Sequence, residues 1–519
     1  MRSTALLIVL MLALMPLPSE ASNVGDSLTV GIQSVKTDVF RPFDPQERDI
    51  LSVYALIYDS LLVINDDYYV EPSLAESWSH DASGRTWTFN LRSNVTFSDG
   101  TPLTARDVVA SAQAILNRAN DEFASSPGFY HTLNYCVAKV SAKDDLTVVV
   151  KTKTDRSYYG ILYAMTFPVV PAAEVDADFP LGSGPYVLTG FSPGSYISLE
   201  ANLNWWKSIP QVRYINFTCH ETQNQVIESY EFARVKTVFT RSIAASQYKS
   251  GSNSLSMDSR TRQLEVLLMN QSYSKLASRN VRLAIRMTID VNKIANNVYM
   301  GMVEQTNMPV YPGTWLYDET VDPSFVHDVS QAKILLAEDG WMDSDEDGVL
   351  DKLTESGEKL SLTLRLYVYE EPDNDVRYET AIMIASQLAE IGISVEIITT
   401  NYVDIQEKLK AGSFHLALCA FEMDAVPDPG FLLTTSNTGN YGRYRSPTMD
   451  DLFKELRTTC IKPDQYKNTL YKIEHLIAED CPFICLFYRS GTVLTRLMYT
   501  TVRDVREYEL LRGIESFRP

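Results

Sequence analysis

The stretch 87-WTFNLRSNVTFSDGTPLTARDVVAS-111 changes its hydrophobic period halfway along. Trp87, Phe89 and Leu91 alternate with polar residues, as a strand with one buried face does, and Val95 and Phe97 resume the alternation after a break. The segment 98-SDGTP-102 then offers turn chemistry, with Asp99-Gly100 supplying a residue that tolerates positive φ. After it the period becomes helical. Thr104 is a suitable N-cap, and Ala105, Val108, Val109 and Ala112 fall on one face. No phosphate or metal motif accompanies this strand, turn and helix, so their purpose has to come from the rest of the chain.

The N-terminal residues 1-MRSTALLIVLMLALMPLPSEAS-22 carry Arg2, an apolar run from Ala5 to Met15, and small residues at Ser19 and Ala21. This pattern predicts a secretory signal peptide over residues 1–21. The run is shorter than the ~18 to 20 apolar residues a membrane-spanning helix needs. No cysteine occurs in the first hundred residues, so the signal peptide is not of the lipid-anchored kind. The expected location is the periplasm or the outer face of the cell membrane. Arg2 and Glu20 leave together, and the net charge stays at −20. Such an acidic surface excludes nucleic acid and anionic membranes as partners, both of which demand basic patches. At 519 residues and 45% hydrophobic, the chain can fill more than one core. Its cysteines, Cys136, Cys219, Cys419, Cys460, Cys481 and Cys485, are too few for a disulfide scaffold, and their connectivity cannot be read from spacing.

Strand-like runs occupy 27–33, 145–152, 186–191, 263–270, 360–369 and 414–421, and helix-like runs 104–118, 279–298, 329–339, 376–391, 448–459 and 464–479. Regular alternation after residue 263 favours βα units over a parallel sheet, whereas hairpins dominate before it. There is no linker rich in Pro, Gly or Ser. Lobes joined by strands that cross between them account for that absence.

Catalytic motifs fail on inspection. The spacing in 190-GFSPG-194 matches a nucleophile elbow, but Pro193 lacks the N–H that an oxyanion hole needs, and 195-SYISLEAN-202 reads as a strand where a helix is required. The six histidines are scattered, and no Gly-rich phosphate loop is present. The chain reads as a non-enzyme. In 343-DSDEDGVLDKLTE-355, Asp343, Asp345, Asp347, Gly348 and Asp351 take the first, third, fifth, sixth and ninth positions of a calcium loop. The twelfth position is Thr354, with Glu355 one place too far. Two readings stand: a structural calcium held by Asp343, Asp345, Asp347 and Asp351, or an empty acidic hairpin. No cofactor is otherwise called for.

With 54-YALIYDSLLVINDDYYVEPSLAESWSHDASGRTWTFNLR-92 upstream, the opening stretch resembles the family 5 solute-binding proteins of ABC importers. The residues that carry the resemblance are Trp87, Phe89, Leu91-Arg92, Phe97, Asp99-Gly100, Pro102, Ala105 and Asp107-Val108. In order along the chain come Asp44-Pro45, 182-GSGPY-186, 204-NWWK-207, Asn270, 281-VRLAI-285, Ile289-Asp290, Gly340-Trp341, Asp428-Pro429, Tyr441, Ser446-Pro447 and Asp480-Cys481-Pro482. Residues 211–262 depart from the pattern, lacking the usual small-residue helix that ends in Gly-x-x-Asp. The resemblance implies an α/β, two-lobed periplasmic-binding-protein fold of type II, with an extra subdomain near 60–185 in lobe I. Lobe I would hold 24–265 plus 490–519 and lobe II 266–489, with crossover segments near 263–270 and 483–490 as the hinge. It also implies a monomeric receptor that closes on a solute and delivers it to permease subunits.

Peptide receptors of this family hold the peptide ammonium with an aspartate three residues after a tryptophan. By resemblance that aspartate corresponds to Asp424 in 420-AFEMDAVPDPGF-431, with Phe421 in the tryptophan's place and one extra residue before Pro429. Nearby, 439-GNYGRYRS-446 offers Asn440, Tyr441, Arg443 and Arg445, and an arginine here can clamp a carboxylate. The bland readings are that Asp424 caps a turn and that the arginines face solvent. A peptide is the expected ligand. A sugar, nickel chelate or opine-like solute, or a secreted enzyme or sensor on the same fold, stays open as an alternative.

Overall fold

The computed structural model describes residues 27–45, 47–120, 129–156, 158–249, 255–354, 357–371, 375–496 and 505–517. Residues 1–21, where a signal peptide is expected, and Glu355 lie outside the described residues.

The opening stretch folds as its pattern predicts. Strand Thr86–Leu91 buries Trp87, Phe89 and Leu91. At the turn, the Asp99 carboxylate accepts from the Thr101 N–H at 2.9 Å and hydroxyl at 2.7 Å, and Gly100 takes φ +89°. Helix Ala105–Ala119 starts at Thr104, whose N–H and hydroxyl both donate to the Asp107 carboxylate. Its buried face is Ala105, Val108, Ala112, Ile115 and Leu116. This helix packs on a four-stranded sheet ordered Ala75–His80, Thr86–Leu91, Thr147–Thr152, Val137–Asp144. The resulting subdomain is fastened beside helix Ile50–Ile57 by 182-GSGPY-186. A Cβ at Gly182 would lie 1.9 Å from the Ile57 carbonyl oxygen, and one at Gly184 2.7 Å from it, so only glycine permits the approach.

An eleven-stranded sheet runs through the whole molecule. In its N-terminal half, Ser27–Gln33 lies parallel to Tyr214–His220 and Thr237–Thr240, and Tyr186–Ser192 forms a hairpin with Tyr196–Ala201. That hairpin absorbs the false nucleophile elbow, with the Ser195 N–H donating to the Ser192 carbonyl at 3.0 Å. In the C-terminal half, Thr363–Tyr369 is parallel to both Ser394–Thr400 and Leu416–Glu422, and helices Val376–Ala389 and Tyr402–Ala411 make the crossovers. The run 279–298 is two helices, Arg279–Thr288 and Val291–Asn297, because Asp290 caps the second by accepting from the Lys293 N–H at 2.9 Å.

Two long antiparallel strands, Leu255–Met269 and Phe483–Thr495, join the halves. Their far ends pair with strands of different halves of that sheet: Thr492–Thr495 with Thr237–Thr240, and Gln263–Met269 with Leu416–Glu422. Between those ends the ladder slips. Arg260 faces Ser490 while Leu264 already faces Tyr488, and a second shift follows Glu265. Such bulges bend and loosen a pair of strands locally. A separate apolar core, including Leu267, Leu283, Leu336, Leu366, Ile384 and Leu486, fills the C-terminal half. The architecture is the two-lobed α/β fold with an added subdomain. All six cysteines are buried free thiols, and among the described residues no helix is long and apolar enough to cross a membrane.

Candidate ligand-binding site

Asp424 follows strand Leu416–Glu422 and precedes Asp428-Pro429. Strand pairing against Gln263–Met269 fixes where the loop leaves the sheet. The Asp428 carboxylate then anchors its far end by accepting two bonds from Arg457, at 2.6 and 2.7 Å. Between these fixed points Asp424 accepts from the Ala425 N–H at 2.7 Å, and its other oxygen lies 3.8 Å from His131 Nε2. The turn-capping role and a ligand role are therefore compatible, since one oxygen stays available. Its side chain is 28% exposed, and burial pushes its pKa above the usual carboxylate value, against the pull of His131 and Arg262.

Three cavities meet at Asp424. One of about 280 Å³ runs past Asp59, Tyr130, Arg262 and Tyr508. A second of about 110 Å³ is bounded by Tyr68, Arg260, Arg262, Tyr311 and Tyr488. The third, about 350 Å³, lies beside His131, Tyr135, Arg156, Tyr158 and Arg457. Each takes walls from the N-terminal segments and from the loop that carries Asp424, although the first draws little more than Asp424 and Ala425 from that loop. Aromatic walls with a few convergent charges are the usual make-up of a small-molecule site.

The other residues singled out from the sequence are placed differently. Phe421 stacks on Tyr441, with ring centroids 6.4 Å apart, and meets Phe431 edge-on at 5.8 Å. Asn440 is buried and occupied, donating to the Tyr444 carbonyl at 2.7 Å and accepting from the Tyr444 N–H at 3.0 Å. Arg443 donates to the Lys410 carbonyl at 2.6 Å, and Arg445 is exposed. Phe421, Asn440, Tyr441, Arg443 and Arg445 border none of these three cavities. Sequence reading missed Arg262, His131 and Tyr508. No local motif marks them, since they come from three distant segments.

At the acidic loop, Asp343, Asp345 and Asp347 bring one oxygen each within 4.8 Å of one another. Asp351 is turned to Ser344, whose hydroxyl donates at 2.8 Å. The Lys359 ammonium lies 2.5 Å from Asp345 and 3.0 Å from Asp351. Gly348 takes φ +85°, as the loop's sharp turn requires. A cation is thus already supplied by the chain at two of the four carboxylates.

Comparison with known proteins places this geometry in context. A profile of the bacterial extracellular solute-binding proteins, family 5 (middle region), matches residues 69–443. The oligopeptide-binding protein AppA of Bacillus subtilis is 26% identical over 458 residues, spanning 84% of this chain and 81% of that protein. The structure of that AppA in complex with a nonapeptide superposes with a TM-score of 0.67 at 22% identity, covering 95% of this chain and 98% of its own. NikA from Brucella suis in complex with Fe(III)-EDTA superposes with a TM-score of 0.77 at 18% identity, covering 95% and 99%.

Proposed function

Since the chain belongs to the bacterial extracellular solute-binding proteins of family 5, we propose that it is the receptor of an ABC importer, capturing a peptide between its lobes and passing it unaltered to the permease. It acts outside the cytoplasmic membrane as a monomer and performs no chemistry on its cargo. Lobe I is assigned to 24–265 with 490–519 and lobe II to 266–489. The slipped register around Arg260–Leu264 is the natural place for the lobes to swing, because few residues there have to change φ and ψ.

The observation that carries this reading is Asp424, a half-buried carboxylate where three cleft cavities meet. A carboxylate partly withdrawn from water is stabilised by a charged partner, and a peptide ammonium supplies both the charge and the hydrogen bonds. The test is calorimetry with free-amine and N-acetylated alanyl peptides. Asp424→Asn is expected to weaken free-amine binding by ~2 to 5 kcal/mol and to leave the acetylated peptides unaffected. Equal affinity of variant and parent for free-amine peptides removes Asp424 from the site.

A structural calcium at Asp343, Asp345 and Asp347 is a separate proposal, supported by the convergence of their oxygens. Calcium has to compete with Lys359 for Asp345. Millimolar calcium is expected to raise the melting temperature, since a ligand of the folded state alone stabilises it. Asp347→Ala should abolish the rise. A parent protein indifferent to calcium and chelator assigns the cation's role to Lys359.

A further inference from the structure

Arg262 sits inside the slipped register of the crossing strands, where the backbone is held from both sides. Its N–H donates to the Glu507 carboxylate at 3.3 Å, and its carbonyl accepts from the Met423 N–H at 2.8 Å, one residue before Asp424. The side chain leaves the sheet against a pair of rings that themselves meet edge-on, with centroids 5.0 Å apart. The guanidinium carbon lies 5.5 Å from the centroid of Phe129 and 5.0 Å from that of Tyr508. Tyr508 is itself fixed: its backbone is left-handed, at φ +70°, and its hydroxyl donates to Glu422. A non-glycine residue in that region is uncommon and persists where its surroundings enforce it.

The guanidinium so placed makes no salt bridge within the described residues. Among the described residues no side-chain hydrogen bond or ion pair reaches it; Asp424 and Glu422 act on it only through space, and the ring beside the Asp424 carboxylate is that of His131, at 3.8 Å. Yet Arg262 and Asp424 border the same two cavities. Other arginines of the region are used internally. Arg506 pairs with Glu509 at 2.9 Å, Arg512 with Asp66 and Glu509, and Arg48 with Glu507. Aromatic faces stabilise a cation while leaving its N–H edge open, and that planar edge matches a carboxylate two bonds at a time.

We propose that Arg262 is the carboxylate anchor of the cleft, so that the captured molecule is a zwitterion held by its ammonium at Asp424 and by a carboxylate at Arg262. The proposal rests on the peptide-receptor reading and sharpens it. The carboxylate can be the peptide's terminal one or an acidic side chain near its amino end, and the two sources are separable.

The experiment is calorimetry of the full exported chain with two matched pairs, Ala-Ala against Ala-Ala-amide and Asp-Ala-amide against Asn-Ala-amide. Parent protein is expected to prefer the acid in at least one pair by roughly tenfold or more, the scale of a charge-assisted bond. The pair that shows it identifies the source. Arg262→Gln should erase that preference and leave the affinity for the matching amide within about twofold. Arg262→Lys, which keeps the charge without the fork, should retain part of it. Asp424→Asn should weaken acid and amide members alike. Binding without any acid preference in either pair overturns the proposal, as does a preference that survives Arg262→Gln. Failure of all four peptides to bind is a different result, which overturns the peptide reading and the anchor with it.

Discussion

At Asp424 the needs of ligand and fold oppose each other. Burial raises its pKa, so the fold penalises the ionised form relative to water. The stability this group contributes is therefore present below the ordinary carboxylate pKa and is lost as pH rises through its folded value. Asp424→Asn removes the ionisable group, so without ligand it is expected to be more stable than the parent at pH 7 by roughly 0.5 to 2 kcal/mol, the usual gain from relieving a strained functional site. The two proteins should converge at pH 4. Thermal unfolding at both values checks this, and a variant less stable than the parent at pH 7 contradicts it. Asp424 could be picked out from the sequence as a candidate because the signal is local: Phe421 before it and Pro429 after it. Arg262 was not, because Phe129 and Tyr508, the rings that give it meaning, lie far away along the chain. Asn440 and Arg443 read as ligand groups from their place in 439-GNYGRYRS-446, but each donates to a backbone carbonyl and neither borders the cavities at Asp424.

Among the elements, the crossing strands carry the greatest concentration of buried charge. Glu265 on Leu255–Met269 accepts from Arg377 at 2.8 Å and lies 2.6 Å from Arg489 on Phe483–Thr495. Glu371 completes a ring of alternating sign, 2.5 Å from Arg377 and 3.2 Å from Arg489. Glu265 and Arg377 are each 1% exposed. Deleting one member leaves an uncompensated buried charge, so Arg377→Met is expected to cost about 3 to 5 kcal/mol in urea unfolding. A loss below about 1 kcal/mol would show the ring to be dispensable. Sequence reading caught only the second half of the first strand. Residues 255–262 include Asp258, Arg260 and Arg262 and lack the apolar alternation that marks 263–269. The parallel unit after residue 360 was plain, because Thr363–Tyr369 and Leu416–Glu422 are buried runs separated by helical periods. Helix Gln223–Glu231, where the chain leaves the family pattern, is short, and its apolar face is limited to Val226, Ile227 and Tyr230.

For the whole molecule, the two halves touch directly on either side of the cleft. Tyr69 stacks on Trp315 with centroids 4.6 Å apart, the Tyr159 N–H donates to the Cys460 carbonyl at 2.7 Å, and His131 approaches Asp424. A ligand favours an arrangement with these contacts only to the extent that it binds it better than one without them. Water leaving the cleft strengthens every charge interaction within it, which suits retention of a charged cargo. The central claim is intact capture by a single chain. Native mass spectrometry of the ligand-stripped protein incubated with trialanine tests it most directly. The account predicts one trialanine per chain, released after prolonged incubation at unchanged mass. Absence of the complex, or the appearance of alanine and dialanine in amounts exceeding the protein, would contradict it.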